Sequence, residues 1–288
     1  MFKLIRKIED LNSWHASNSK AIGLVPTMGN LHAGHLSLVN ESLNQNSVTL
    51  VTIFVNPKQF GPNEDFAEYP RTLERDCELL KEELDNFSGK ELVVFAPAST
   101  DEIYPDGFST IISVNGISEI LCGADRPGHF DGVTTVVHRL FNISKASTAY
   151  FGQKDYQQVK VIQRMVLDLG LQIDLKTLPI SRDEDGLARS SRNQYLTTEA
   201  RQMALTLPKT LSQIENLLTN DSWLNSGVEI NKILETSLSD KRWNYLEIKD
   251  ANNLNEVTPN TNKVVILGAF KVDKTRLIDN RLVKINYA

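Results

Sequence analysis

Cysteine is nearly absent from this 288-residue chain: only Cys77 and Cys122 occur, far apart and each alone. That argues against a disulfide framework and against a zinc knuckle, and points to a reducing compartment. A basic excess is lacking too, with 31 Lys and Arg against 36 Asp and Glu and a formal net charge of -5. Such a balance disfavours the broad phosphate-backbone footprint of a nucleic-acid-binding protein. No uncharged run approaches the roughly 20 residues that span a bilayer. The opening Met1-Phe2-Lys3-Leu4-Ile5-Arg6-Lys7 puts charges where a signal peptide needs an apolar core. Repeats and low-complexity segments are missing. These absences predict a cytoplasmic globular protein with neither nucleic acid nor membrane as partner. What is present is 41% hydrophobic residues, over a length that exceeds one ordinary core and predicts two domains.

Apolar strands alternate with amphipathic helices up to about residue 180. Ala21 to Val25, Val48 to Val55, Leu92 to Phe95 and the segment ending Ala149-Tyr150-Phe151 are strand-like, and Ile111, Ile112 and Val114 look extended. Between them, helical spacing joins Leu36, Val39 and Leu43; Leu73, Cys77, Leu80 and Leu84; Val133, Val136, Val137 and Leu140; and Val159, Ile162, Val166 and Leu169. The alternation predicts an α/β domain over 1–180 with a Rossmann-like, doubly wound parallel sheet. At the charged turn Ser181-Arg182-Asp183-Glu184-Asp185-Gly186 it stops. From there, 181–288 is expected to form a smaller α+β domain closing over the site. It contains a helix that Pro208 must kink or split, a second helix near Val228 to Leu234, and strands at Tyr245 to Ile248, Val264 to Ala269 and Thr275 to Asp279.

The most informative segment is Pro26-Thr27-Met28-Gly29-Asn30-Leu31-His32-Ala33-Gly34-His35, between a strand and a helix. Pro26 and Gly29 are expected to end the strand, and Gly34 to leave room for a flat purine. His32 and His35, three apart, fall on one face of the starting helix. Free N–H groups and the positive end of the dipole would meet a triphosphate there. The bland alternative is a capped helix with two solvated rings.

Ligands of open α/β sheets bind beyond the carboxyl ends of the strands, where further polar clusters fall. Asn56-Pro57-Lys58-Gln59-Phe60-Gly61 follows one strand, as a plain turn or as a pair of amides for a hydroxy acid. Gly152-Gln153-Lys154-Asp155-Tyr156-Gln157-Gln158 follows another. There Asp155 is placed to cap the next helix or to accept from a ribose hydroxyl, and Lys154 to meet phosphate oxygens or solvent. In Arg126-Pro127-Gly128-His129-Phe130-Asp131-Gly132, Asp131 is the natural helix cap and Arg126 and His129 remain open between solvent and site. Arg189-Ser190-Ser191-Arg192, at the domain junction, combines hydroxyls with arginines suited to phosphate.

His32-x-Gly34-His35 is the signature of the nucleotidylyltransferase superfamily, and the order of all five motifs resembles the pantothenate synthetase family over nearly the whole chain. The resemblance implies Mg²⁺-ATP-dependent joining of pantoate to β-alanine through an adenylate, in a homodimer. It implies that Met28, Gly29, Asn30, Leu31, His32, Ala33, Gly34 and His35 form an ATP loop, with His35 as proton donor. Gly152, Gln153, Lys154 and Asp155 would hold ribose and phosphates, and Ser181 would meet adenine through its backbone. Arg189, Ser190, Ser191 and Arg192 would form a phosphate loop, and Gln59, Gln158 and Met28 would hold pantoate. His35, His32 and Lys154 are the implied catalytic set. Arg189 departs from the Met or Leu of the family, and Ser181 from an apolar residue. No protein metal ligand is assigned, Asp76 being the one carboxylate singled out as a candidate. Two rivals stay open: another nucleotidylyltransferase acting on a phosphorylated acceptor, and a silent nucleotide-binding protein.

Overall fold

A computed structural model describes residues 1–62 and 64–287. The first half alternates as its pattern requires: β1 (Phe2–Ile5), α1 (Ile8–Ala16), β2 (Ile22–Thr27), α2 (Ala33–Gln45), β3 (Val48–Ile53), α3 (Leu73–Asp85), β4 (Glu91–Phe95), α4 (Cys122–Asp125), α5 (His129–Ser144), β5 (Thr148–Gly152), α6 (Tyr156–Asp168) and β6 (Asp174–Leu178). The six strands form one sheet in the order β1-β4-β3-β2-β5-β6, and every pairing is parallel. The chain winds outward from β2 through β3 to β4, then returns to β5 on the other side of β2. The order therefore reverses between β2 and β5, which makes their carboxyl ends the switch point of the sheet. The β2–β5 ladder covers only Gly23–Leu24 against Thr148–Ala149, so a crevice is free to open where Pro26, Thr27 and Gly152 emerge.

Three local expectations are corrected. Pro26 lies inside β2, in register with Thr52 of β3. It is tolerated there because the β5 ladder has already ended and no N–H is needed on that side. Residues 111–114 are not a strand; the Ile112 N–H instead donates to Thr135 Oγ1 on α5 at 3.0 Å. Asp131 does not cap α5, which begins two residues earlier after Gly128 in a left-handed conformation, φ 80°. β1 and α1 escape sequence pattern because they are short, four and nine residues, too few turns or alternations to establish a period.

The second half contains α7 (Thr198–Ala204), α8 (Thr206–Asn220), α9 (Trp223–Leu238) and an antiparallel sheet of β7 (Trp243–Asp250), β8 (Lys263–Val272) and β9 (Thr275–Lys284). Pro208 does split the helical run: it occupies the first turn of α8, where an N–H has no intrahelical partner anyway. Leu207, Leu211, Ile214 and Leu218 of α8 bury against Val264, Ile266 and Phe270 of β8. The other face of the small sheet behaves differently. Tyr245, Val265, Leu267 and Ala269 join the same core cluster as Phe130, Val133 and Tyr156 of the first half. This continuous apolar seam fixes β9 beside the switch point.

Candidate active site

The cleft at the switch point, with the solvent at its open mouth included, spans about 1450 Å³. Its walls include Met28, His32, Gly34, His35, Gln59, Gly152, Lys154, Asp155, Gln158, Ser181, Arg189, Ser190, Ser191 and Arg192. Residues from four separate motifs are thus brought to one place. Gly29, Asn30, Leu31, Ala33 and Gln153 do not line the cleft; Asn30, Leu31 and Gln153 are bonded elsewhere.

The turn after β2 is built from two successive left-handed residues, Gly29 at φ 81° and Asn30 at φ 50°. This left-handed geometry, open to glycine and asparagine, points the Asn30 and Leu31 N–H groups inward, onto Asp76 Oδ2 at 2.9 Å and Oδ1 at 2.8 Å. Thr72 Oγ1 donates to the same carboxylate at 3.2 Å, and Asp76 is fully buried. Burial raises its pKa, opposed by those two amide bonds and by Thr72. Asp76 is therefore an anchor of the loop rather than a free metal ligand. The Asn30 and Leu31 N–H groups are thus committed to Asp76.

His32 is the N-cap of α2. Its Nδ1 accepts from the Gly34 N–H at 3.1 Å, which leaves the ring proton on Nε2. A Cβ on Gly34 would lie 2.9 Å from His32 Cε1 and 3.7 Å from Ser181 Cβ, so glycine lets the histidine ring fold back and also keeps this wall of the cleft free of a side chain. The His32 and His35 ring centroids are 4.0 Å apart. His35 Nδ1 is buried without a partner, the mark of a group waiting for a ligand. Burial pushes the His32 pKa down to about 4, helped by Lys154. His35 is driven well below the usual value by burial, then by His32 and Lys154. Both rings are neutral in the free chain, so His35 holds no proton of the kind an acid would give up until a partner changes its surroundings.

Lys154 Nζ pairs with Asp155 Oδ2 at 3.1 Å. Asp155 precedes α6 but makes no side-chain cap bond, so its carboxylate faces the lysine and the cleft. Gln59 Nε2 meets Met28 Sδ at 3.1 Å, joining the two residues expected to share a ligand. Asn56, in contrast, is 1% exposed and fully employed: it donates to Gln59 Oε1 and the Gly132 carbonyl, and accepts from Tyr104. A Cβ on Gly132 would come within 2.1 Å of the Lys58 carbonyl oxygen, so α5 can approach the Gln59 turn only through a glycine.

From the other side comes a hairpin closed by Asp183 N–H to Leu187 O and Arg189 N–H to Ser181 O, each 2.9 Å. Arg189, the unusual residue, points its Nε at Asp183 Oδ1, 2.9 Å away. Ser190 Oγ accepts from the Arg192 N–H at 3.3 Å, and the Arg192 guanidinium meets Asp65 through Nε at 3.2 Å and Nη2 at 2.9 Å. Three residues at the site had no assignment from sequence. Arg126 pairs with Glu64 through Nε at 2.6 Å and donates to His129 Nε2 at 2.9 Å. His129 Nδ1 in turn donates to the Gln59 carbonyl at 2.8 Å. The turn 126–132 carried a signal for two of these; Glu64 lies in an irregular segment with no periodicity to mark it.

Two desolvated, neutral histidines, His32 and His129, have a consequence for stability. Burial, and then Arg126, lower the His129 pKa to about 4 as well. An unfolded histidine binds its proton below about pH 6.5, whereas the folded ones remain neutral to about pH 4. The unfolded state thus gains protons first, and stability falls as the pH drops across that window. Each ring costs roughly 1–2 kcal/mol of stability by about pH 5. Urea denaturation at neutral and at mildly acidic pH measures this, and an unchanged midpoint in wild type would contradict it.

Comparison with known proteins adds the following. The family model described as Pantoate-beta-alanine ligase matches residues 3–282. Pantothenate synthetase of Acetivibrio thermocellus is 47% identical over 289 residues, covering 98% of this chain and 100% of that protein. That of Moorella thermoacetica is 49% identical over 269 residues, covering 92% of each. Among solved structures, the enzyme of Thermus thermophilus superimposes with a TM-score of 0.87 at 40% identity, covering 97% of this chain and 98% of that one. Pantoate-beta-alanine ligase of Francisella tularensis, complexed with beta-gamma ATP and beta-alanine, gives 0.75 at 32% identity and covers 98% of each chain.

Proposed function

The chain belongs to the pantoate-beta-alanine ligase family, and from that premise we propose that its switch-point cleft carries out the ligation in two steps. The enzyme joins pantoate to β-alanine at the expense of ATP. In the first step the pantoate carboxylate attacks the α-phosphorus, the bond to the bridging oxygen breaks, and pyrophosphate leaves. In the second, the β-alanine amine attacks the acyl carbon and displaces AMP, losing one proton. A carboxylate is ionised at neutral pH, so the first step needs alignment and charge neutralisation more than a base.

His32, His35, Lys154, Ser190, Ser191 and Arg192 would supply that neutralisation. What supports the assignment is their convergence at the switch point, together with the unpartnered Nδ1 of His35. Gln59, Gln158 and Met28 would hold pantoate, whose branched hydrocarbon suits the neighbouring Val133, Val136 and Val137. Gly152, Asp155, Ser181 and Arg189 would border the nucleoside, with Gly29, Asn30, Leu31, Ala33 and Gln153 shaping the loops from behind. Among the described residues no group of three His, Cys, Asp or Glu could hold a metal ion. Mg²⁺, if it enters, would therefore be carried by the phosphates, its usual partners. A homodimer and a cytoplasmic location complete the proposal. The first rests on family likeness. The second fits two buried, unpaired cysteines and the absence, among the described residues, of a helix long and apolar enough to cross a membrane.

The test is exchange of labelled pyrophosphate into ATP with pantoate present and β-alanine absent. Pantoate-dependent exchange is the expected result. No exchange from a chain that still binds ATP would overturn the two-step reading.

A further inference from the structure

Lys154 sits on a single turn of 3-10 helix, Gln153–Asp155, between β5 and α6. Three residues of irregular backbone do not by themselves hold a lysine in place. The restraint comes from β9 in the other half of the chain. Asn280 is 1% exposed, and its Nδ2 donates to the carbonyls of Gln153 at 2.9 Å and Lys154 at 3.0 Å. Its Oδ1 accepts from Gln153 Nε2 at 3.1 Å. One amide therefore uses both donors and an acceptor on the segment that carries the cation.

The preceding residue grips the opposite wall. Asp279, 3% exposed, takes both Arg182 nitrogens, Nη1 at 2.7 Å and Nη2 at 2.8 Å. It also accepts its neighbour's N–H, from Asn280 to Oδ1 at 2.7 Å. Arg182 belongs to the hairpin that leads into Ser190 and Arg192, and it donates to the Gly186 carbonyl at the hairpin tip at 3.0 Å. Two adjacent residues of one strand thus clamp the two loops between which the triphosphate would lie. A buried bidentate pair and a fully bonded amide are stiff connections.

We infer that Asn280 is a positioning residue for the adenylation step, setting Lys154 against the phosphates through the backbone of Gln153 and Lys154. The inference rests on the proposed role of Lys154. It predicts that Asn280 acts through the lysine and through nothing else in the reaction. Asn280→Ala should lower the kcat of pantoate-dependent pyrophosphate exchange about 10- to 100-fold, with the KM for pantoate within about threefold. The decisive measurement is the double-mutant cycle: Asn280→Ala added to Lys154→Ala should cost almost nothing further, because the group it positions has gone. Asn280→Asp, of the same shape but unable to donate to the two carbonyls, should reproduce the loss; it also serves should the alanine variant fail to fold.

Losses that multiply fully in the double variant would show a general structural role and overturn the inference. So would wild-type kinetics in the folded single variants. A Lys154→Ala variant with normal exchange would instead remove the role of Lys154, and the inference with it, while wild-type exchange separately tests the two-step reading.

Discussion

Replacing His35 with alanine is expected to slow pantoate-dependent pyrophosphate exchange by about two to three orders of magnitude, the scale of losing one preorganised donor or acid. The prediction follows from its position rather than from any charge on the free ring. His35 stands 4.0 Å from His32, centroid to centroid, with a buried Nδ1 that no protein atom satisfies. Burial, His32 and Lys154 all keep it neutral. A polyanion entering the cleft reverses the last of these influences, because phosphate charge offsets Lys154 and favours the imidazolium. Two roles then remain: a neutral ring donating a hydrogen bond, or a ring protonated as ATP arrives that neutralises the leaving pyrophosphate. His35→Gln distinguishes them, since an amide donates but does not titrate. Recovery to within about tenfold of wild type would mean donation suffices, whereas a rate as low as that of alanine would assign the proton. An exchange rate in His35→Ala within about threefold of wild type would remove the residue from the mechanism.

The parallel sheet and the placement of the His32–His35 loop were legible because both rest on local signals: short apolar runs bounded by turn residues, and a Gly- and His-rich break between strand and helix. Convergence of Lys154 and Ser190–Arg192 on that loop was legible only through motif order. The physical basis for it is the reversal between β2 and β5, which no spacing announces. β1 and α1 were not legible, since short elements with mixed faces carry no strong period. Nor were the supports of the loops. Asn280 and Asp279 are far along the chain from what they hold, in a strand whose pattern reports only which face is apolar. At Gly34 the sequence marks that space is needed, but the neighbour that fills part of it, the folded-back ring of His32, is visible only in the structure.

Asp76 shows the same limit most sharply, and its removal should have the second large effect. Asp76→Ala leaves the Asn30 and Leu31 N–H groups buried without acceptors at the point where two left-handed residues make the turn. Each unpaired donor costs about 1–3 kcal/mol, so a loss of about 3 kcal/mol and a fall in melting temperature of roughly 5–10 °C are expected. Because the same amides hold the loop that ends in His32 and His35, exchange should fall about 100-fold as the rings lose their register with Lys154. Thr72→Val removes only the third bond to the carboxylate and should cost about 1 kcal/mol with activity nearly intact. Asp76→Asn keeps the shape but turns an NH₂ toward one of the two amides, so it should resemble alanine more than wild type. These outcomes separate an anchor from a metal ligand. A ligand's loss is relieved by raising Mg²⁺ and leaves thermal stability without metal unchanged, whereas the loss of an anchor lowers stability without metal and is not relieved at any Mg²⁺ concentration.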